Sequence, residues 1–357
     1  MLVLVMAPSA MAALPSGLVA FWEGNGNTTE SVNGLSATFT QGSYSTARTP
    51  AKRAFNLTGS TAVVVSDASQ LHIPSYSISA WFYAKSGAPG VYSATSGYLV
   101  SKSKDTSGGL PGTELMEVYV YADGHIQAQP VSGMIVSTAT EDYNVDAWNH
   151  IVMTFDNNSS PYEGRIYVNG VDVTFATTGA KENIQSSQIF PFNIGRRSDG
   201  SDPFNNRMQQ VAIYDSALSS DEINAIRAAQ EPTIIGISPS GGMPSVGTSV
   251  VISGSNLSSV TAVKFGATAA QSVSYDSNTQ ITALSPAGNV GTVDITVFTQ
   301  GVGTSATSNA DKFTYAKASQ TITNMAFTPA SLAVGATTTA SASGGASGIR
   351  LQYSNNR

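Results

Sequence analysis

Glu117-Val-Tyr-Val-Tyr-Ala-Asp-Gly-His-Ile-Gln-Ala-Gln129 alternates apolar and polar residues on both sides of an Asp-Gly step. Arg165-Ile-Tyr-Val-Asn-Gly-Val-Asp-Val-Thr174 repeats the pattern around Asn-Gly. Alternation with period two sends successive side chains to opposite faces of a strand. Asp-Gly and Asn-Gly supply the two positive-φ residues of a type I′ turn. Each stretch therefore predicts a β-hairpin with a two-residue turn. Outward from them lie further short apolar runs: Thr61-Ala-Val-Val-Val65, Tyr76-Ser-Ile-Ser-Ala-Trp-Phe-Tyr83 and Trp148-Asn-His-Ile-Val-Met-Thr-Phe155. Gly, Ser, Asn and Pro clusters separate them. Many short strands at close spacing predict an antiparallel sandwich. Trp81 and Trp148 stand in these alternating runs and are expected to be buried.

Composition supports strands over helices. Charged residues are 11 % of the 357, against about 25 % in an average soluble domain, so long solvated helices lack their usual material. The exception is Ser219-Ser-Asp-Glu222-Ile-Asn-Ala-Ile-Arg-Ala, where Ser219 and Glu222 have capping-box spacing and Ile223 and Ile226 form a stripe. Gln230-Glu-Pro232 then stops the helix and marks a domain boundary. Evenly spaced strand patterns follow, from Ser249-Val-Val-Ile-Ser to Asp311-Lys-Phe-Thr-Tyr315, enough for a small immunoglobulin-like sandwich. The remaining stretch, 317–357, is too short for a β core of its own without disulfide or metal support. It reads as an incomplete immunoglobulin-like repeat that is marginally ordered alone.

Several function classes are disfavoured. The net charge is −6 with a pI near 5.0, the reverse of a nucleic-acid footprint. With no Cys, thiolate metal sites and a Cys nucleophile are excluded. His72, His125 and His150 are isolated and read as structural or surface histidines. No apolar run reaches the ~18 residues of a membrane span, so the mature chain is not expected to insert. Residues 1–12 end in Ala10-Met-Ala12, the A-x-A pattern before a signal-peptidase cut. They read as the end of a signal peptide that starts further upstream, which implies a secreted or cell-surface protein. G-x-S-x-G, H-E-x-x-H and a phosphate-cradling Gly-rich loop are all missing. No two acids stand at i and i+2, the simplest way for one strand to carry a glycosidase pair.

Gly17-Leu-Val-Ala-Phe-Trp22, Ile78-Ser-Ala-Trp-Phe82, Trp148-Asn-His-Ile-Val-Met-Thr-Phe-Asp156, Asn193-Ile-Gly-Arg196 and Val211-Ala-Ile-Tyr214 come in a telling order. With Ala217-Leu-Ser-Ser-Asp-Glu-Ile223, the segment 13–230 resembles the laminin-G-like, concanavalin A-like jelly rolls of large bacterial surface proteins. Pro232-Thr-Ile-Ile-Gly-Ile-Ser-Pro239, Gly247-Thr-Ser-Val-Val-Ile-Ser-Gly254, Gly291-Thr-Val-Asp-Ile-Thr-Val297 and Lys312-Phe-Thr-Tyr315 make 232–316 resemble an IPT/TIG immunoglobulin-like domain. The resemblance implies an all-β chain: an antiparallel jelly-roll sandwich, an immunoglobulin-like sandwich and a partial repeat. It also implies binding of sugars, peptides or proteins by the first domain, with the second as a spacer.

Loop aromatics and a polar rim are the natural ligand contacts, which singles out Tyr92, Tyr98, Tyr143, Arg197, Asp199 and Phe204. The jelly-roll family often holds calcium beside the loop after its first strand. Here that loop offers Glu30, where an Asp is usual, and Asn33. Gln209, followed by Gln210, replaces an expected Asp-Glu pair near the last strand. Calcium at Glu30, Asn33 and Gln209 is the one cofactor expected. The expected function is a non-catalytic binding or adhesion protein for a glycan or protein ligand. A bare structural stalk and an accessory part of a polysaccharide-degrading enzyme are the alternatives.

Overall fold

The computed structural model describes residues 15–39, 42–46, 53–85, 97–103, 114–121, 123–131, 133–139, 142–179, 190–198, 200–245, 247–257, 260–299, 302–317, 326–328 and 339–341. Residues 1–12 and most of 317–357 lie outside them.

Two antiparallel sheets form the first sandwich. In chain order the strands are β1 (Leu18–Trp22), β2 (Ala37–Thr38), β3 (Ser43–Thr46), β4 (Arg53–Asn56), β5 (Val63–Val65), β6 (Tyr76–Ala84), β7 (Gly97–Ser101) and β8 (Glu114–Val120). They continue with β9 (Ile126–Val131), β10 (Ile135–Thr138), β11 (Ala147–Asp156), β12 (Glu163–Val168), β13 (Val171–Asp172), β14 (Thr174–Thr178), β15 (Phe192–Ile194) and β16 (Arg207–Tyr214). The first sheet runs β13-β12-β11-β6-β16-β4-β3, with β1 also on β16; the second runs β14-β10-β9-β8-β7-β15-β5-β2. Neighbours in space are often distant in sequence, as a jelly roll requires.

Alternation decides which side chains meet between the sheets. Tyr76, Ile78, Ala80, Phe82 and Ala84 of β6 face inward with Ile151, Met153 and Phe155 of β11. Val118 and Val120 of β8, with Ile126 and Ala128 of β9, meet them from the second sheet.

The two hairpins use different turns. Asn169 and Gly170 have φ +51° and +84°, the type I′ pair, and Val168 pairs directly with Val171. At Asp123-Gly124 only Gly124 is positive, at +87°, and the Tyr121 N–H donates to the His125 carbonyl. The expected type I′ turn is thus corrected to a longer loop with one left-handed glycine. Helix α1 (Ser220–Ala228) has its full capping box: Ser219 accepts from the Glu222 N–H, and Glu222 accepts from the Ser219 N–H.

The second sandwich begins at β17 (Thr233–Ser238). It continues with β18 (Gly241–Gly242), β19 (Ser249–Ser255), β20 (Ala262–Phe265), β21 (Thr268–Ala269), β22 (Ser272–Ser277), β23 (Gln280–Leu284), β24 (Gly291–Thr299), β25 (Gly303–Thr304) and β26 (Lys312–Tyr315). Sheets β17-β19-β23-β22 and β18-β26-β24-β20-β21, the latter with β25 on β24, enclose Val250, Ile252, Val263, Ile281, Ile295, Val297 and Phe313. Among the described residues no strand pair joins this sandwich to the first. Of the last stretch, β27 (Ala326–Thr328) pairs antiparallel with β28 (Thr339–Ser341).

Candidate ligand-binding face

A two-sheet sandwich has two outer faces, and here they differ. On the first sheet's outer face, Val152, Tyr167, Ala212 and Tyr214 pack under Leu218, Ile223 and Ile226 of the α1 segment. Further along that face the His150 ring lies 2.8 Å from Ser79 Oγ by its Nε2 and 4.9 Å from the Trp81 ring centre. Beyond them Arg207 sits 3.9 Å over the Tyr83 ring and 5.5 Å from that of Trp148. Trp81 and Trp148 are buried, as expected from the alternation, yet they lie outside the core between the sheets.

The second sheet's outer face carries an aromatic ladder. Val118 and Val120 point into the core, so Glu117, Tyr119 and Tyr121 point out. Register pairs Tyr119 with Tyr98 of β7 and with Gln127 of β9. The Tyr98 and Tyr119 rings stack at 4.6 Å, Tyr119 and Tyr121 tilt together at 5.5 Å, and Tyr121 stacks on His125 at 4.1 Å. The hydroxyls of Tyr119 and Tyr121 both donate to Gln127 Oε1, each at 3.1 Å. The Arg197 guanidinium stands 5.8 Å from the Tyr98 ring centre.

Burial grades along the ladder. Tyr98 and Tyr119 are 7 % and 5 % exposed, whereas Tyr121, His125 and Gln127 are half-buried. Burial pushes the Tyr98 and Tyr119 hydroxyls far above the ordinary tyrosine range. On the same strand as Tyr119, Glu117 accepts from Ser101 Oγ at 3.1 Å, and Ser101 contacts Ser198 Oγ at 3.0 Å. Asn193 Nδ2 donates to the same Ser198 hydroxyl.

The structure brings Tyr98 and Arg197 together from the expected set. It corrects two others. Phe204 is 0 % exposed and packs edge-on against Phe82 in the core, and Tyr143 meets the same ring from another side. The loop before β16 folds inward because Phe204 N–H donates to Gly195 O and Leu57 N–H donates to Asn206 O. Tyr92 and Asp199 lie outside the described residues. Tyr119, Tyr121 and Gln127 belong to the β8–β9 hairpin and so fall outside the loop aromatics singled out from the sequence. Their signal was present in Tyr-Val-Tyr, where an inward valine forces outward tyrosines. His125 was read as an isolated turn residue, and it closes the ladder.

The three residues expected to hold calcium have partners or positions of their own. Glu30 is 4 % exposed, and its carboxylate is filled by backbone donors. Oε1 accepts the N–H of Phe21 at 2.9 Å and of Val32 at 2.7 Å; Oε2 accepts those of Asn33 at 2.7 Å and Leu35 at 3.2 Å. Four amides use the four lone-pair directions a carboxylate has. Asn33 Nδ2 donates to Val19 O. Gln209 is buried in β16 in register with Trp81, before a bulge where Gln210 has φ +52°. Among the described residues no three His, Cys, Asp or Glu side chains gather as metal ligands. The Glu30 carboxylate thereby ties the loop after β1 together.

Residues 57–224 match the family model of the concanavalin A-like lectin/glucanases superfamily, and residues 232–315 match that of the IPT/TIG domain. Among solved structures, domain 4 of an extracellular arabinanase from Geobacillus stearothermophilus, in complex with arabinotriose, is 16 % identical. That match covers 59 % of this chain and 98 % of the other, with a TM-score of 0.39. Trypanosoma rangeli sialidase in complex with sialic acid is 16 % identical over 60 % of this chain and 33 % of its own, with a TM-score of 0.44. The chain thus spans about a third of that sialidase. No curated protein matches the chain.

Proposed function

We propose that this chain, a laminin-G-like, concanavalin A-like jelly roll followed by an IPT/TIG domain, is a non-catalytic binding protein of the cell surface or extracellular space. Its jelly roll takes a glycan on the outer face of the second sheet. One observation carries the reading: the ladder Tyr98-Tyr119-Tyr121-His125 stands on the sheet face that α1 does not cover. The face of a sugar ring presents C–H groups that pack on an aromatic ring, and its hydroxyls need amide and hydroxyl partners at the edge. Tyr121 and His125 supply the rings, and Gln127, with the phenol hydroxyls it orders, supplies the partners.

The carboxylates beside the ladder support binding over hydrolysis. Glu117 accepts from Ser101, Asp123 is bonded by the His125 ring, and Asp202 accepts from Ser201. A glycosidase needs one carboxyl as acid and a second as base or nucleophile across the scissile bond. Here each is engaged within the protein.

A glycan array probed with the full chain tests the reading, followed by calorimetry on the strongest binder. Tyr121→Ala is expected to weaken that binder at least tenfold with an unchanged far-ultraviolet spectrum, since Tyr121 is half-buried and lies outside the core. An array on which the chain binds nothing, or a Tyr121→Ala variant that binds as the parent does, refutes it. Release of reducing ends from the binder would replace it with the enzyme reading.

A further inference from the structure

Trp81 and Trp148 are 0 % and 4 % exposed on an outer sheet face, where a ring is ordinarily wet. Their cluster holds Ala54 of β4 and one residue of the second sandwich, Val302. Val302 lies between β24 and β25 and is itself 4 % exposed. Its N–H donates to Thr299 O, which turns the chain there, and its carbonyl accepts from Arg227 Nη2 of α1 at 3.2 Å. An aliphatic side chain therefore enters an aromatic socket while its backbone is tied to the helix beside it.

The connection between the domains is also held. Asn256, at the end of β19, donates from Nδ2 to Ala229 O at 2.9 Å and to Glu231 O at 3.0 Å. Those two carbonyls lie between α1 and β17, where Pro232 is buried. Domains in one chain move relative to each other by default unless their interface is large and apolar. This one has three separate ties: the Val302 plug, the Arg227 hydrogen bond and the Asn256 clamp.

We infer that the IPT domain is docked in a fixed pose on the first sheet, with Val302 plugging a Trp81–Trp148 socket. The domain thereby acts as part of the jelly roll's cover, not as a free spacer. Two consequences follow. The two sandwiches unfold as one cooperative unit. The direction in which the second sheet faces is set by the IPT domain, because the opposite sheet is the one it grips.

The test uses the full chain and its three tryptophans, of which two line the socket and Trp22 sits in the core between the sheets. The parent should melt in a single calorimetric peak. Val302→Asp should at least double acrylamide quenching, red-shift the emission and split the peak in two. Val302 lies outside the IPT core cluster, so that sandwich keeps its own packing. Val302→Ala is the milder second variant and should raise quenching in the same direction, while Val302→Leu should leave it near the parent value. A parent chain that melts in two separated peaks overturns the inference, as does quenching unchanged in both the Asp and Ala variants. None of these readouts involves the second sheet's ladder, so the inference and the glycan reading fail separately.

Discussion

Replacing Glu30 by Gln tests the account of the first loop most sharply. The carboxylate accepts four backbone N–H groups, two on each oxygen. Whichever oxygen becomes the amide nitrogen, two N–H donors lose their acceptor and meet another donor. A hydrogen bond to a charged group contributes about 1.5–3 kcal/mol, and a buried donor left without a partner costs about 1–3 kcal/mol. Leu35 is buried and its N–H gains nothing from water, whereas Asn33 is exposed and its N–H recovers part of its loss. The expected loss is therefore about 3–5 kcal/mol, or about 10 °C in Tm for a domain of this size. Urea unfolding followed by circular dichroism measures it. A loss below about 1 kcal/mol would show that the four contacts do not hold the loop. A thermal melt of the parent with and without a chelator addresses calcium, because a cation bound only to the native state raises stability in proportion to RT ln(1 + [L]/Kd). With Glu30 saturated by amides, the midpoint should stay within about 1 °C. A calcium-dependent rise in the parent that disappears in Glu30→Gln would restore the cation.

Phe204→Ala should cost about 3–5 kcal/mol of stability, as for other fully buried aromatic truncations, while the proposed glycan binding of the folded fraction stays at the parent level. Lost affinity at unchanged stability would return Phe204 to the binding rim. Burial pushes the Asp311 carboxyl above the usual carboxylate range; the Ser308 N–H pulls partly against it, and the Asp294 carboxylate pushes it further up. The folded state then holds the proton more tightly than the unfolded chain. That stabilisation is full below about pH 4, the unfolded value, and is lost as pH rises through the folded pKa. Asp311→Asn, which keeps an acceptor for Ser308, should flatten the decline and be the more stable chain near pH 7. Superimposable urea midpoints for parent and variant across about pH 4–7 would remove the effect.

The sequence by itself determined what depends on neighbours along the chain. Strand periodicity gave the all-β class, because alternation is a property of a few consecutive residues. Asn169-Gly170 and the Ser219–Glu222 box gave a turn and a helix start for the same reason, since both partners lie within four residues. The same locality made Asp123-Gly124 ambiguous, as the dipeptide serves more than one turn length. What touches across the fold was decided only by the tertiary structure. Phe204 looked like a loop ring, and the loop's hydrogen bonds to Gly195 and Leu57 turn it into the core. The sequence shows the Glu30 carboxylate but not the four amides that converge on it. Tyr98 and Arg197 were visible as candidates, yet the ladder that joins them to Tyr119 and Tyr121 needed the register of β7 on β8. The burial of Trp81 and Trp148 was legible in their strands, but not its cause. Val302 of another domain packs with both rings on the outer face of the sheet, and no local pattern encodes which distant side chain arrives.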